Sequence, residues 1–157
     1  MKQVVTLFLI LLGLAINLVA QTNYKFIPYK STQGLSHNTI YATIQDKEGF
    51  LWVGTANGLN RFDGYSFKQF LNSEDDTTSI SGNQISGMYE DQNGNLWIAT
   101  RNSGLNLYIP KTHSFVRYQH RPDEPNSLSS NSIKSITGDG NGNLWIGTSD
   151  KGLNFLD

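Results

Sequence analysis

An all-β chain built from a repeated unit is predicted by three observations. An eleven-residue segment recurs three times, as QDKEGFLWVGT at 45–55, EDQNGNLWIAT at 90–100 and GDGNGNLWIGT at 138–148. Whole columns recur in step with it: Trp52, Trp97 and Trp145 are spaced by 45 and 48 residues, as are Asp46, Asp91 and Asp139, and Gly49, Gly94 and Gly142. Between them, β-branched and aromatic runs of four to seven residues are bounded by Gly, Asn, Asp and Ser, the pattern of short strands joined by turns. Self-similarity at such a period marks an array of supersecondary units that bury their faces on one another.

Residues 1–20 stand apart from the array. Lys2 gives a short positive start, residues 4–19 are almost wholly apolar, and Ala20 is a small residue suited to precede a cleavage point; the stretch reads as a secretory signal peptide. An apolar run of about 16 residues is short for an uncleaved membrane anchor. Residues 21–34 hold an orphan outer strand, because FIPY at 26–29 matches FKQF at 67–70 and FVRY at 115–118. The repeats follow at 35–79, 80–127 and 128–157, the last without its fourth strand.

Each repeat reads as four strands. Strand a is TIYATIQ at 39–45, QISGMYE at 84–90 and SIKSITG at 132–138. Strand b is LWVGT, LWIAT and LWIGT, and strand c is GLNRF at 58–62, GLNLYI at 104–109 and GLNFL at 152–156. Strand d is YSFKQF at 65–70 and HSFVRY at 113–118. The a–b turn carries Asn93-Gly94 and Asn141-Gly142, a hairpin pair whose two residues tolerate positive φ. Four strands in roughly 40–50 residues is the size of one β-propeller blade. Strand b is apolar on both faces, with Leu51 and Val53 on one and Trp52 on the other. A blade flanked by two neighbours needs this; a half-solvated strand would alternate. Strand a keeps a small residue in one column, Ala42, Gly87 and Ser135, as expected for an innermost strand near a crowded axis. The expectation is a partial β-propeller of four-stranded antiparallel blades: about two and three-quarter blades plus an N-terminal closing strand. Since a propeller closes with about four blades or more, the ring is incomplete and the chain reads as the amino-terminal piece of something longer.

Composition removes several function classes. The formal net charge is −1, 16% of the residues are charged, and no block of like charges occurs, so nucleic-acid binding by this segment has no basis. There is no cysteine, which excludes disulfides, thiol catalysis and cysteine-ligated metal. Asp46, Asp91 and Asp139 suggest a calcium loop, but the glycine stands at the fourth position rather than the sixth that an EF-hand needs. They read instead as Asx residues bonding turn amides, and no metal or other cofactor is expected. The three tryptophans recur in one strand column, which is the behaviour of core positions rather than of a sugar platform. His37, His113 and His120 carry no catalytic pattern and no helical period, and the acidic pairs Asp75-Asp76 and Asp123-Glu124 fall in loops.

The segment GLSHNTIYATIQDKEGFLWVGTANGLNRFDG at 34–64 resembles the two-component regulator propeller repeat. The other two copies match it nearly as well, with Ala99 in place of the usual glycine. The resemblance implies an exported, periplasmic sensor of an inner-membrane-anchored hybrid histidine kinase of the Bacteroidetes type. It further implies an oligosaccharide ligand, a homodimer in the full-length context, and partners in the remaining blades and the downstream linker and kinase domains. The chain itself would not be an enzyme.

Function is expected where the copies differ. Alternating strands put the b–c and d–a connections on one face, and both vary, whereas the a–b turns are nearly uniform. Variable loops on one face are where binding concentrates, and the polar candidates there are Arg101, Asn102, His120, Arg121, Asp150 and Lys151. The alternatives are a piece of a propeller glycoside hydrolase or lyase with its catalytic residues in other blades, a non-catalytic interaction propeller, or a truncated product with open strand edges.

Overall fold

The computed structural model describes residues 23–157; the segment expected to be a signal peptide lies outside them. Among the described residues eleven strands form three antiparallel sheets. The first sheet runs β1 (Ile40–Gln45), β2 (Leu51–Thr55), β3 (Gly58–Phe62) and β4 (Phe67–Phe70), hydrogen-bonded in that order. The second runs β5 (Ile85–Glu90), β6 (Leu96–Thr100), β7 (Leu105–Ile109) and β8 (Ser114–Tyr118). The third holds β9 (Ile133–Gly138), β10 (Leu144–Thr148) and β11 (Leu153–Leu156). These are two four-stranded blades and three strands of another, in sheets that do not close into a ring. The b strands match their expected bounds. Strand d starts two residues late in the first blade because the Tyr65 and Ser66 N–H groups both donate to Asp63 Oδ1 (2.8 Å each) and hold a turn. In the second blade His113 takes φ +55° and the strand begins one residue later.

Residues 26–29 join no ladder: Phe26 is 94% exposed, and Tyr29 alone packs, against Phe62 and Phe67 at ring distances of 5.2 and 5.8 Å. The expected place of this segment is the outer edge of the blade that closes the ring; within this array the edge of β3 is taken by β4, and residues 26–29 do not pair with β11. An apolar-alternating pattern specifies a pleated, half-buried surface, not the partner that covers it.

The core lies between blades, not within them. Trp52, Leu59 and Phe70 of the first blade pack on Ile80, Ile85, Leu96, Ile98, Tyr108 and Phe115 of the second. Trp97, Ala99 and Leu105 of the second pack on Ile133, Leu144 and Ile146 of the third. The tryptophan face of strand b thus meets the following blade, and the leucine face meets the preceding one. The contrast between copies shows it: Trp52 is 1% exposed and Trp145 39%, whereas Leu144 is 1% exposed and Leu51 37%. The exposed faces are those without a neighbouring blade among the described residues. Gly54 lies directly under Ile85 of the next blade, where an added Cβ would stand 2.5 Å from Ile85 Cγ2.

Repeated polar residues tie the loops to this core. Asn60 and Asn106 are fully buried; the Oδ1 of each accepts from the N–H of Ser36 or Ser81 (2.9 and 2.8 Å). Their amide groups donate to the same serine hydroxyls and to the carbonyls of Val53 and Ile98. Asn154 repeats the arrangement with Ser129 and Ile146. A second column, Asn38, Asn83 and Asn131, accepts from the N–H groups of Ser31, Asn72 and His120. The carbonyls of Asn83 and Asn131 also reach the preceding blade, accepting from Gly58 N–H (2.6 Å) and Gly104 N–H (3.0 Å). The d–a loops are therefore pinned at both ends.

Candidate functional site

The aspartate column is occupied in building turns. Asp91 Oδ1 accepts from the N–H groups of Asn93 and Asn95 (2.9 Å each), and its Oδ2 accepts from Asn95 Nδ2 (2.8 Å) and Trp97 Nε1 (3.2 Å). Asp46 likewise takes the Phe50 N–H and the Trp52 indole N–H at 2.8 and 2.7 Å. Burial works against ionisation of Asp91, yet the donors around it outweigh burial and hold its carboxyl below the ordinary aspartate value. Asp139 is held low by the Asn143 side chain and the Asn141 N–H. These bonds occupy the acceptor positions of Asp91 and part of those of Asp46 and Asp139 in holding the turns. Among the described residues no cluster of three His, Cys, Asp or Glu side chains is placed to hold a metal.

The six variable-face candidates do not converge. His120 folds into its own loop, its Nδ1–H donating to the Leu128 carbonyl at 2.6 Å. Arg121 pairs with Glu124 at 2.8 Å, exposed, beside an outer groove between β8 and β11. The Lys151 N–H is fixed on Thr148 Oγ1 (2.9 Å), Asp150 is exposed, and Asn102 Oδ1 accepts weakly from Ser132 Oγ (3.4 Å). Arg101 alone opens onto a cavity near the inner strands.

That cavity, of about 250 Å³, is lined by Tyr41, Ile85, Ser86, Arg101, Ile133, Lys134 and Ser149. Its construction follows from one irregularity repeated in each blade. Ile40 pairs with Thr55 and Ala42 with Gly54, so Tyr41 is an extra residue on β1. Ser86 is the extra residue between Ile85 and Gly87, and Lys134 the one between Ile133 and Ser135. These are β-bulges, which kink a strand and re-aim a side chain. Arg101 and Ser149 leave the ends of β6 and β10, and their N–H groups donate to Gln84 and Ser132 carbonyls (2.8 Å each), which closes each b–c loop back onto the start of strand a. The floor is apolar and fixed, with Ile85 and Ile133 at 0 and 1% exposure. The rim is polar, with Tyr41 47% exposed and Arg101 and Lys134 both exposed. Ser86 Oγ is buried without a hydrogen-bond partner. A concave site with an apolar base and a few convergent polar groups has the character of a ligand pocket.

The profile described as Two component regulator propeller matches residues 34–57, 79–102 and 127–150, one segment in each blade. The chain carries three copies of the two component regulator propeller repeat. Its fold matches the extracellular domain of a hybrid two component system from B. thetaiotaomicron with a TM-score of 0.78 and 38% identity, covering 83% of this chain and 18% of that one. A second such domain from the same organism matches with a TM-score of 0.67 and 30% identity, covering 85% of this chain and 19% of that one. Histidine kinase P4 of Formosa agariphila is 48% identical over 68 residues, which is 43% of this chain and 5% of the kinase. The chain thus spans about a fifth of the matched structures and far less of the kinase. Among the described residues no helix is long and apolar enough to cross a membrane.

Within the propeller repeat the mouth residues occupy defined columns. Tyr41, Ser86 and Lys134 each stand eleven positions before the repeat tryptophan, and Ala56, Arg101 and Ser149 stand four after it. The isoleucines beside the bulge are constant (Ile40, Ile85, Ile133), while the bulged residue changes each time. Loop-centred reasoning missed Tyr41, Ser86 and Lys134 because they lie inside a strand. The signal was present as the one column of strand a that is Tyr, then Ser, then Lys.

Proposed function

We propose that this chain is the ligand-sensing propeller segment of an exported hybrid two-component sensor, and that it reads an oligosaccharide at the mouth cavity. The observation that supports it most is that the bulges of three inner strands bring three different side chains, Tyr41, Ser86 and Lys134, to one cavity. A ligand contacted by several blades is met there by a different group from each. Tyr41 offers a half-exposed ring whose apolar face suits the flat C–H face of a sugar, and Ser149 and Arg101 offer polar groups for its hydroxyls. The matched relatives are extracellular domains of hybrid two component systems, so the signal passes to a kinase region elsewhere in the polypeptide. Ligand binding biases one arrangement of a propeller dimer, and that bias reaches the kinase through the membrane. The protein is periplasmic in this reading and anchored in the inner membrane.

The test is a calorimetric titration of the full-length protein with an oligosaccharide panel, alongside its autophosphorylation rate. Tyr41→Ala should weaken the bound sugar about tenfold or more at unchanged thermal stability, and the change in phosphorylation should shift to correspondingly higher sugar concentration. Sugar binding that is indifferent to Tyr41→Ala would remove the mouth as the sensing site.

A further inference from the structure

The mouth cavity carries a charge asymmetry that oligosaccharide binding in general does not require. Two of its seven lining residues, Arg101 and Lys134, are cationic, and none is acidic. Among the described residues neither the Arg101 guanidinium nor the Lys134 ammonium makes an ion pair, and no protein group accepts a hydrogen bond from either. The remaining charged residue nearby in sequence, Asp150, lies beyond Ser149 and does not line the cavity. Several cations elsewhere are engaged: Lys47 Nζ donates to the Asp91 and Gln92 carbonyls, Arg117 donates to Asp76, Ser79 and Ile80, and Arg61 stacks over Phe50 at 4.4 Å.

Arg101 and Lys134 also reach the cavity by different routes. Lys134 is the bulge residue of β9, and Arg101 opens the b–c loop of the preceding blade. The second blade supplies serine in the bulge column and arginine in the loop column; the third supplies lysine and serine. Two cations from adjacent blades therefore line one cavity together with the buried hydroxyl of Ser86, which has no partner of its own. Like charges brought together without a counter-ion repel, and an arrangement of this kind is stabilised by an anion.

We infer that the mouth site is selective for an acidic sugar, with Arg101 and Lys134 holding its carboxylate or sulfate oxygens and Tyr41 covering the ring face. The inference rests on the oligosaccharide reading above and adds the charge of the ligand. Arg101 forms two parallel bonds to a planar carboxylate or to two sulfate oxygens, while Lys134 adds a point charge. The Ser149 hydroxyl is a further donor on the same rim.

The experiment titrates the full-length protein with three probes: a galacturonate trisaccharide, a sulfated galactose tetrasaccharide and the desulfated form of the latter. At least one acidic probe should bind tenfold or more tighter than the neutral one. Arg101→Gln and Lys134→Gln should each weaken it by roughly tenfold, the loss of one charge-assisted contact, and raising the salt concentration should weaken it further. Which acidic probe wins tells carboxylate from sulfate. Equal binding of the neutral probe, sensitive to Tyr41→Ala but not to Arg101→Gln or Lys134→Gln, would overturn the acidic selectivity and leave the sensing role standing. If none of the three binds, inorganic sulfate decides. Stabilisation of the wild type, but of neither Gln variant, at matched ionic strength supports the anion site, and its absence overturns it.

Discussion

The buried asparagine of strand c should be among the costliest side chains to remove without touching the hydrophobic core. Asn106 is fully buried and serves three partners: its Oδ1 accepts from Ser81 N–H (2.8 Å), and its Nδ2 donates to Ser81 Oγ (2.9 Å) and to the Ile98 carbonyl (3.3 Å). Asn106→Ala leaves the Ser81 N–H and the Ile98 carbonyl without this partner. A buried polar group left unpaired costs about 1–3 kcal/mol. Ser81 is half-buried, so water recovers part of its share, whereas Ile98 is wholly buried. The expected loss is about 2–4 kcal/mol, a large part of the roughly 5–15 kcal/mol by which a domain is ordinarily stable. Urea unfolding followed by tryptophan fluorescence measures it, and an unchanged dependence on denaturant would show that the transition itself is the same. Asn57→Ala, on an exposed b–c loop, is the control and should stay within about 0.5 kcal/mol. An Asn106→Ala loss no larger than that control would refute the view that this column clamps the d–a loop onto the blade.

Two further outcomes follow from the turns. Gly104 takes φ +85°, and a Cβ there would collide with the Tyr118 carbonyl, whereas Gly49 takes φ +90° in open space. Gly104→Ala should therefore destabilise by clearly more than the roughly 1 kcal/mol that left-handed backbone alone costs at Gly49→Ala, read from the same urea curves. The carboxyls of Asp63, Asp76, Asp91 and Asp139 are all held below the ordinary value of 3.8 by hydrogen bonds to their charged forms. Their unfolded counterparts take up protons at higher pH, so their stabilisation is fully present above about pH 4 and is lost as the pH falls through the lowered folded values. Thermal melting across pH 2–7 should be level at the upper end and drop in the acid range; a drop beginning near neutrality would refute this assignment.

The blade was legible in the sequence because its causes are local and repeated. A strand apolar on both faces, an Asx turn before a tryptophan and a glycine opening strand c each act within a few residues, and each occurs three times, so chance agreement is removed. The interblade core was legible too, since Trp52 and Trp97 could only be buried on a neighbour. Ala99, in place of the usual glycine, is fully buried in the core that also holds Ile133.

The candidate site was not legible in the same way. Of the six polar residues taken from the variable loops, the fold brings only Arg101 to the mouth, because loop bonds such as His120 to Leu128 and Arg121 to Glu124 consume or divert the others. Tyr41, Ser86 and Lys134 lie 45 and 48 residues apart. They become neighbours only when three inner strands pack side by side, and they turn toward one cavity only because each strand carries a bulge. A period-of-two pattern shows alternation along a strand, but a single inserted residue leaves no trace in it. The sequence by itself determined the repeat, its strands and the faces that must be covered, all consequences of local propensity and burial. Only the tertiary structure decided which variable column points inward, because that depends on backbone register and on the packing of neighbouring strands, which no stretch of chain specifies alone.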